Sequence, residues 1–388
     1  MEKLVPKLRF PEFSNSWEIK ILEKIAKRGT GHTPDKNHTE YYNGGIKWIS
    51  LADSNKLDNG KIYNTKFNIS ELGIKKSSAV IHPKNTVLLS RDAGVGKSAI
   101  MSESMAVSQH FVTWFGNKNE LDNYFLYYKL QILKPVFEKI AVGNTIKTIG
   151  MPFFKNLKIT IPEYSEQQKI ASFLTSVDER LTLLAQQKEK LELYKKGVMQ
   201  QIFSQKLRFK DENGNSYPDW EEKKLGEILD YEQPTKYLVS DTEYDNKYST
   251  PVVTAGKTFI LGYTNEKENI FPKENLPVII FDDFTTASQF VNFPFKAKSS
   301  AMKILHAKEG QNIKFIFEVM QNIKFEVGGH GRHWISKFAN LYVDLPCLEE
   351  QIKIANVLSS IDAKIDIENE LLRKLKEQKK FLLQNLFV

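Results

Sequence analysis

The chain repeats itself, and the repeat constrains its architecture more than any other feature. Lys7-Leu8-Arg9-Phe10 recurs as Lys206-Leu207-Arg208-Phe209. Each copy runs on to a Trp-Glu pair, Trp17-Glu18 and Trp220-Glu221, and then to a helix-like start at Leu22 and Leu225. Further along, Pro162 to Asp178 aligns without gaps to Pro346 to Asp362 at an offset of 184 residues, with 9 of 17 positions identical. The identical residues are chemically mixed (Pro, Glu, Gln, Lys, Ile, Ala, Leu, Ser, Asp), so biased composition cannot have produced the match.

Between the matching blocks lie two dissimilar interiors, roughly 17–161 and 220–345. Both alternate Gly/Asn/Asp/Pro punctuation with short β-branched runs, and Thr86-Val87-Leu88-Leu89 and Val278-Ile279-Ile280-Phe281 read as buried strands. Asp122 to Glu138 reads as helix. The expected fold class is α+β: two mixed α/β recognition domains joined by two long helices that form an antiparallel coiled coil with pseudo-twofold symmetry. The divisions are 1–163, first recognition domain; 164–204, central helix; 205–347, second recognition domain; and 348–388, distal helix.

In the first helix, residues 165–203, Ile170, Leu174, Val177, Leu181, Leu184 and Leu191 fall at alternating spacings of 4 and 3. Ile354, Leu358, Ile361, Ile365, Leu372 and Leu375 do the same in its twin, 349–387. Such an a/d stripe argues for a coiled coil, and at ~1.5 Å per residue each helix would run nearly 60 Å. Lys188 and Glu368 interrupt the two stripes. An antiparallel pairing sets them opposite one another, where unlike charges specify register at least cost. Exchanging the two charges is then expected to preserve assembly, and Glu368→Lys alone to weaken it.

A chain of 388 residues exceeds one ordinary core. Its net charge of +8 favours polyanionic partners. Cys347 is the only cysteine, which excludes an intrachain disulfide and a Cys-based zinc site. Met1 to Phe10 does not look like a signal peptide, and no apolar run reaches membrane-spanning length. The expectation is a cytoplasmic protein with no membrane association.

Several strings imitate catalytic motifs. Arg91-Asp92-Ala93-Gly94-Val95-Gly96-Lys97-Ser98 ends like a phosphate-binding loop, but Arg91 stands where the first glycine belongs. Asn292-Phe293-Pro294-Phe295 lacks the first proline of an adenine methyltransferase motif. The acids of Pro218-Asp219-Trp220-Glu221-Glu222-Lys223 are too close together for a nuclease centre. His330 and His333 have ligand-like spacing without a carboxylate or thiol partner. No catalytic or metal-binding residue is assigned.

The block Ile161-Pro162, Glu166-Gln167-Gln168-Lys169-Ile170-Ala171, Leu174, Asp178 resembles the helical region of type I restriction–modification specificity subunits. So does its second copy, Leu345-Pro346 through Glu350-Gln351-Ile352-Lys353-Ile354-Ala355. Trp17, Trp220 and the segment Asn85 to Arg91 fit as well, and the resemblance covers essentially the whole chain. It implies a non-catalytic, sequence-specific DNA-binding subunit whose two domains each read one half of an interrupted double-stranded site. It also implies two methyltransferase subunits docked on the helices, with restriction subunits joining them. Adenine methylation and cleavage would belong to those partners, along with S-adenosylmethionine, ATP and Mg, and this chain would bind no cofactor. The alternative is a coiled-coil adaptor whose globular halves bind protein or nucleic acid.

Base and phosphate contacts require polar or cationic side chains on loops and element ends. In the first domain the candidates are Lys47, Trp48 and Ser50; Arg91 with Lys97; and Asn144 with Lys147. In the second they are Lys257 and Thr258; Lys296, Lys298 and Ser299; and His330, Arg332 and His333. The glycine-bearing loops 143–147 and 328–333 precede the two helical blocks at equivalent places.

Overall fold

The computed structural model describes residues 4–256, 258–323 and 333–388. Four helices organise it: α1 (Asn123–Ile140), α2 (Tyr164–Phe203), α3 (Ile313–Asn322) and α4 (Leu348–Asn385). Two compact units divide the chain, Met1–Gln186 with Asn369–Val388, and Gln187–Glu368. The boundary cuts through both long helices, so each unit contains a stretch of α2 and a stretch of α4, whereas the sequence divisions had set the helices apart from the domains.

The first unit carries a five-stranded sheet. Its order is Ala26–Thr30, Phe111–Gly116, Val87–Ser90, Ser98–Met101 and Lys61–Ile62. Val87–Ser90 is buried throughout, as its unbroken apolar run implies. A four-stranded sheet joins Phe67–Ile69, Tyr42–Ile49, Met105–Val107 and Ile81–His82. Gly31 is required where these layers meet, because a Cβ there would collide with the Val107 carbonyl. Helix α1 starts at Asp122, whose carboxylate accepts the Tyr124 and Phe125 amides, both at 2.9 Å. Along its other side α1 shares a core with the helix pair, in which Ile170, Leu174 and Val177 of α2 pack with Leu382 of α4 and Leu386 just past its end.

In the second unit a four-stranded antiparallel sheet runs Leu229–Glu232, Met302–Ala307, Val278–Asp282, Ser288–Val291. Its core joins Ile279 and Phe281 to Phe315 and Ile316 of α3, Ile202 of α2, and Ile354 and Leu358 of α4. In both units the start of one long helix thus packs with the end of the other, which is antiparallel pairing.

The repeated sequence blocks build the same clamp twice. Arg9 donates to both oxygens of Glu166 at 2.9 and 2.7 Å, and the Trp17 indole N–H reaches the same carboxylate at 3.4 Å. Arg208 donates to Glu350 at 2.9 Å twice, and Trp220 at 3.2 Å. Both glutamates are wholly buried. A two-pronged guanidinium is the partner that can satisfy such a carboxylate. The adjoining glutamines also match. Gln167 accepts the Asp122 amide at 3.0 Å and donates to Pro162 O, while Gln351 accepts the Asn312 amide at 2.9 Å and donates to Pro346 O. Asp122 and Asn312 are the caps of α1 and α3, so each Glu-Gln pair fixes a recognition domain to its helix.

Register is set by different charges from those the stripe suggested. Asp178 meets Lys379 at 2.5 Å, and Asp362 meets Lys195 at 2.7 Å. Both aspartates and both lysines stand 184 positions apart, so one bridge is written twice. Lys188 makes no ion pair with Glu368. Its ammonium lies 3.5 Å from Glu192, one turn along its own helix, and Glu368 Oε2 is buried without a hydrogen-bond partner. The stripe correctly placed the helices together, but other charges meet: Lys195 and Lys379 stand at the stripe positions that follow Leu191 and Leu375, and their partners Asp362 and Asp178 lie just beside it.

Candidate nucleic-acid interface

Two of the first-unit candidate groups, Arg91 and the loop with Asn144 and Lys147, meet at one aspartate. Val87–Ser90 and Ser98–Met101 are antiparallel neighbours, so residues 91–97 form a hairpin turn and not the strand-to-helix turn of a phosphate-binding loop. Gly96, at φ +84°, sits against Lys134 where a Cβ would clash. At the tip, Asp92 Oδ1 accepts the Thr148 hydroxyl and Oδ2 lies 2.9 Å from His110 Nδ1. Backbone bonds add to this: Arg91 N to His110 O at 3.0 Å and Ile149 N to Arg91 O at 2.9 Å. The exposed loop 142–147, with Asn144 and Lys147, is thereby tied to the turn bearing Arg91. Arg91 Nε has no hydrogen-bond partner and lies 3.7 Å from Asp92, and Lys97 reaches Ser54 O at 3.4 Å.

The remaining first-unit cluster is largely structural. Trp48 is buried, with its indole N–H on His32 O at 3.2 Å, and Ser50 caps the short helix Leu51–Lys56 in a reciprocal box with Asp53. Lys47 is bound to Glu103 and to Tyr63 O. Trp48 and Ser50 nevertheless help line an open cleft of about 700 Å³ that also includes Tyr42, Ser108, Gln109 and His110. The last three form the turn between Met105–Val107 and Phe111–Gly116 and were not singled out from sequence. Their signal was a polar triplet set between Met105-Ala106-Val107 and the mostly apolar Phe111–Gly116.

In the second unit Lys296 must be reassigned. It is almost wholly buried, 2.5 Å from Glu266 and 3.1 Å from Glu268 O, so its charge is committed inside the fold. Burial raises the Glu266 carboxyl and Lys296 lowers it, with a net shift downward. Lys298 stays partly exposed over the Tyr244 ring, Ser299 accepts the Ala301 amide, and Thr258 O accepts the Thr254 hydroxyl. His333 is buried and its amide donates to Asp283 O at 2.8 Å, so it anchors the strand-tip contact and is not presented to DNA. Lys257, His330 and Arg332 lie outside the described residues. Asp283 occupies the hairpin position of Arg91, its amide donating to Ala301 O as that of Arg91 donates to His110 O, and its carboxylate accepts the Trp334 amide at 2.8 Å and faces buried Lys303 at 3.5 Å.

A second kind of surface recurs on the helices. One groove of the first unit includes Lys376, Lys379, Lys380, Leu383 and Gln384. One groove of the second includes Glu192, Lys195, Lys196, Met199 and Gln200, each 184 positions earlier. Among the described residues no cluster of three or more His, Cys, Asp or Glu could hold a metal, and no helix is long and apolar enough to cross a membrane.

These features define a class: tandem recognition domains, unlike at their tips, held by one duplicated clamp on paired helices. The chain belongs to the family of the type I restriction modification DNA specificity domain, which matches residues 15–193 and 217–377. It is 47% identical over 141 residues to a type I restriction enzyme specificity subunit of Escherichia coli, a match covering 35% of each protein. A specificity subunit of Methanocaldococcus jannaschii is 26% identical over 410 residues, 96% of this chain and 90% of that one. The fold is that of the type I restriction-modification S subunit from M. genitalium, with a TM-score of 0.70, 20% identity and 99% of both chains covered. Two DNA specificity domains thus make up most of the chain.

Proposed function

We propose that the chain is the DNA-reading subunit of a type I restriction–modification complex, each unit reading one half of an interrupted double-stranded site. The observation that carries this reading is the clamp written twice, Arg9–Glu166–Trp17 and Arg208–Glu350–Trp220, beneath hairpin tips that differ. One frame with two unlike tips suits two half-sites with a fixed gap, because spacing follows from the protein. The chain performs no chemistry itself. Two methyltransferase subunits, one on each of the equivalent helix grooves, transfer methyl groups from S-adenosylmethionine to adenine. Restriction subunits use ATP and Mg to cleave, and the complex works in the cytoplasm.

A gel-shift competition in the presence of the methyltransferase subunit tests this. One interrupted duplex should compete far better than the same duplex with its gap changed by one base pair. Equal competition by all duplexes, or binding to protein without DNA preference, would favour an adaptor.

A further inference from the structure

We infer that the turn Ser108-Gln109-His110 is the base-reading element of the first unit and that it recognises an adenine edge. The inference rests on the proposed DNA-reading role. The turn is rigid: it links two strands whose residues 105–107 and 111–114 are fully buried, and the Phe111 amide closes it on Ser108 O at 3.2 Å. All three side chains line the cleft of about 700 Å³. Ser108 Oγ is buried without a hydrogen-bond partner, so the cleft presents an unsatisfied polar group to whatever enters.

Exposed Gln109 and half-buried His110 are oriented by bonds on their far atoms. Asp92 uses one oxygen for the Thr148 hydroxyl and the other for His110 Nδ1. An ionised carboxylate only accepts, so Nδ1 carries a proton, and in the uncharged imidazole that tautomer leaves Nε2 as an acceptor. Gln109 Oε1 accepts the Thr33 hydroxyl at 2.6 Å, which leaves its amide N–H groups as donors. A donor beside an acceptor matches the N7 acceptor and N6 amino donor of adenine in the major groove. The same Asp92 holds loop 142–147, so Asn144 and Lys147 are positioned together with the reader. In the second unit the strand equivalent to Phe111–Gly116 is Met302–Ala307, and it is preceded by Ser299-Ser300-Ala301, with Ser299 turned onto the Ala301 amide. A different half-site follows from that difference.

The test uses the complete complex expressed in cells, read by sequencing methylated bases. His110→Ala and Gln109→Ala should each make the same A·T position of one half-motif degenerate, with discrimination there falling roughly 5- to 150-fold, and leave the other half unchanged. Asp92→Asn, which retains an acceptor for Thr148 but offers N–H toward Nδ1, should relax that same position. Gln109 is exposed, so Gln109→Ala carries the test if His110→Ala impairs folding. An unchanged motif, degeneracy at a G·C pair, or equal loss at every site in an assembled complex would overturn the inference. Failure of the underlying reading is distinguishable, because the wild-type complex would then yield no two-part motif.

Discussion

Around the buried glutamates the two units use the same chemistry: arginine fork, tryptophan N–H, and glutamine onto a helix cap. At the hairpin tips they part. In the first, Asp92, one residue past Arg91, holds a histidine and a threonine; in the second, Asp283, at the place of Arg91 itself, holds a backbone amide and a buried lysine. Even the helix bridge is dressed differently, since Asp178 takes the Tyr128 hydroxyl at 2.8 Å where Asp362 takes Lys314 at 2.9 Å. Identity is kept where a domain grips its helices and abandoned where it faces outward. A frame can be duplicated only if its grip does not depend on what it carries.

The largest test of that equivalence is to break the clamp. Arg9→Ala and Arg208→Ala each leave a wholly buried carboxylate unpaired and should cost about 3–5 kcal/mol. Hydrogen exchange locates the loss. The first variant should unprotect the paired strands Glu18–Ile21 and Lys158–Ile161, and the second Glu221–Lys224 and Tyr342–Leu345. If only one unit responds, the clamps are not equivalent.

A smaller effect separates the helix bridges. Burial raises the Asp362 carboxyl, but Lys195 and Lys314 outweigh it and hold it below its ordinary value. A depressed carboxyl stabilises above its unfolded pKa, and that contribution is lost as pH falls through the folded value. Asp362→Asn should therefore cost about 1.5–3 kcal/mol near neutrality and little in acid. Urea titrations of wild type and variant across that range check both size and sign.

The smallest effect concerns Glu368. Its buried, unpartnered oxygen predicts that Glu368→Leu raises stability by about 0.5–1 kcal/mol. A loss of stability, or one rescued by changing Lys188, would restore the seam pair expected from the stripe.

Much of the frame was legible. The repeats marked every residue of the clamp, and the 4/3 spacing marked the helices and the core positions Ile170, Leu174, Ile354 and Leu358. What identity cannot show is partnership. Arg9 and Glu166 are 157 residues apart, and nothing local says that they meet. Lys296 read as a loop cation because its acid, Glu266, is 30 residues away. Register was not legible because four charges, Lys188, Lys195, Glu368 and Lys379, interrupt the stripes, and spacing alone does not say that Lys195 and Lys379 bridge to Asp362 and Asp178 just beside them. At the interface, Arg91 and loop 143–147 were visible as separate basic clusters. Their common anchor, Asp92, was hidden inside a string that imitated a phosphate-binding loop.

The most direct measurement is the set of methylated adenines in cells carrying the complex, with and without this chain. One two-part motif, with a fixed gap, should disappear when the chain is removed and return with it. Methylation that is unchanged, or lost from a motif with a single undivided core, would contradict two unlike readers on one duplicated frame.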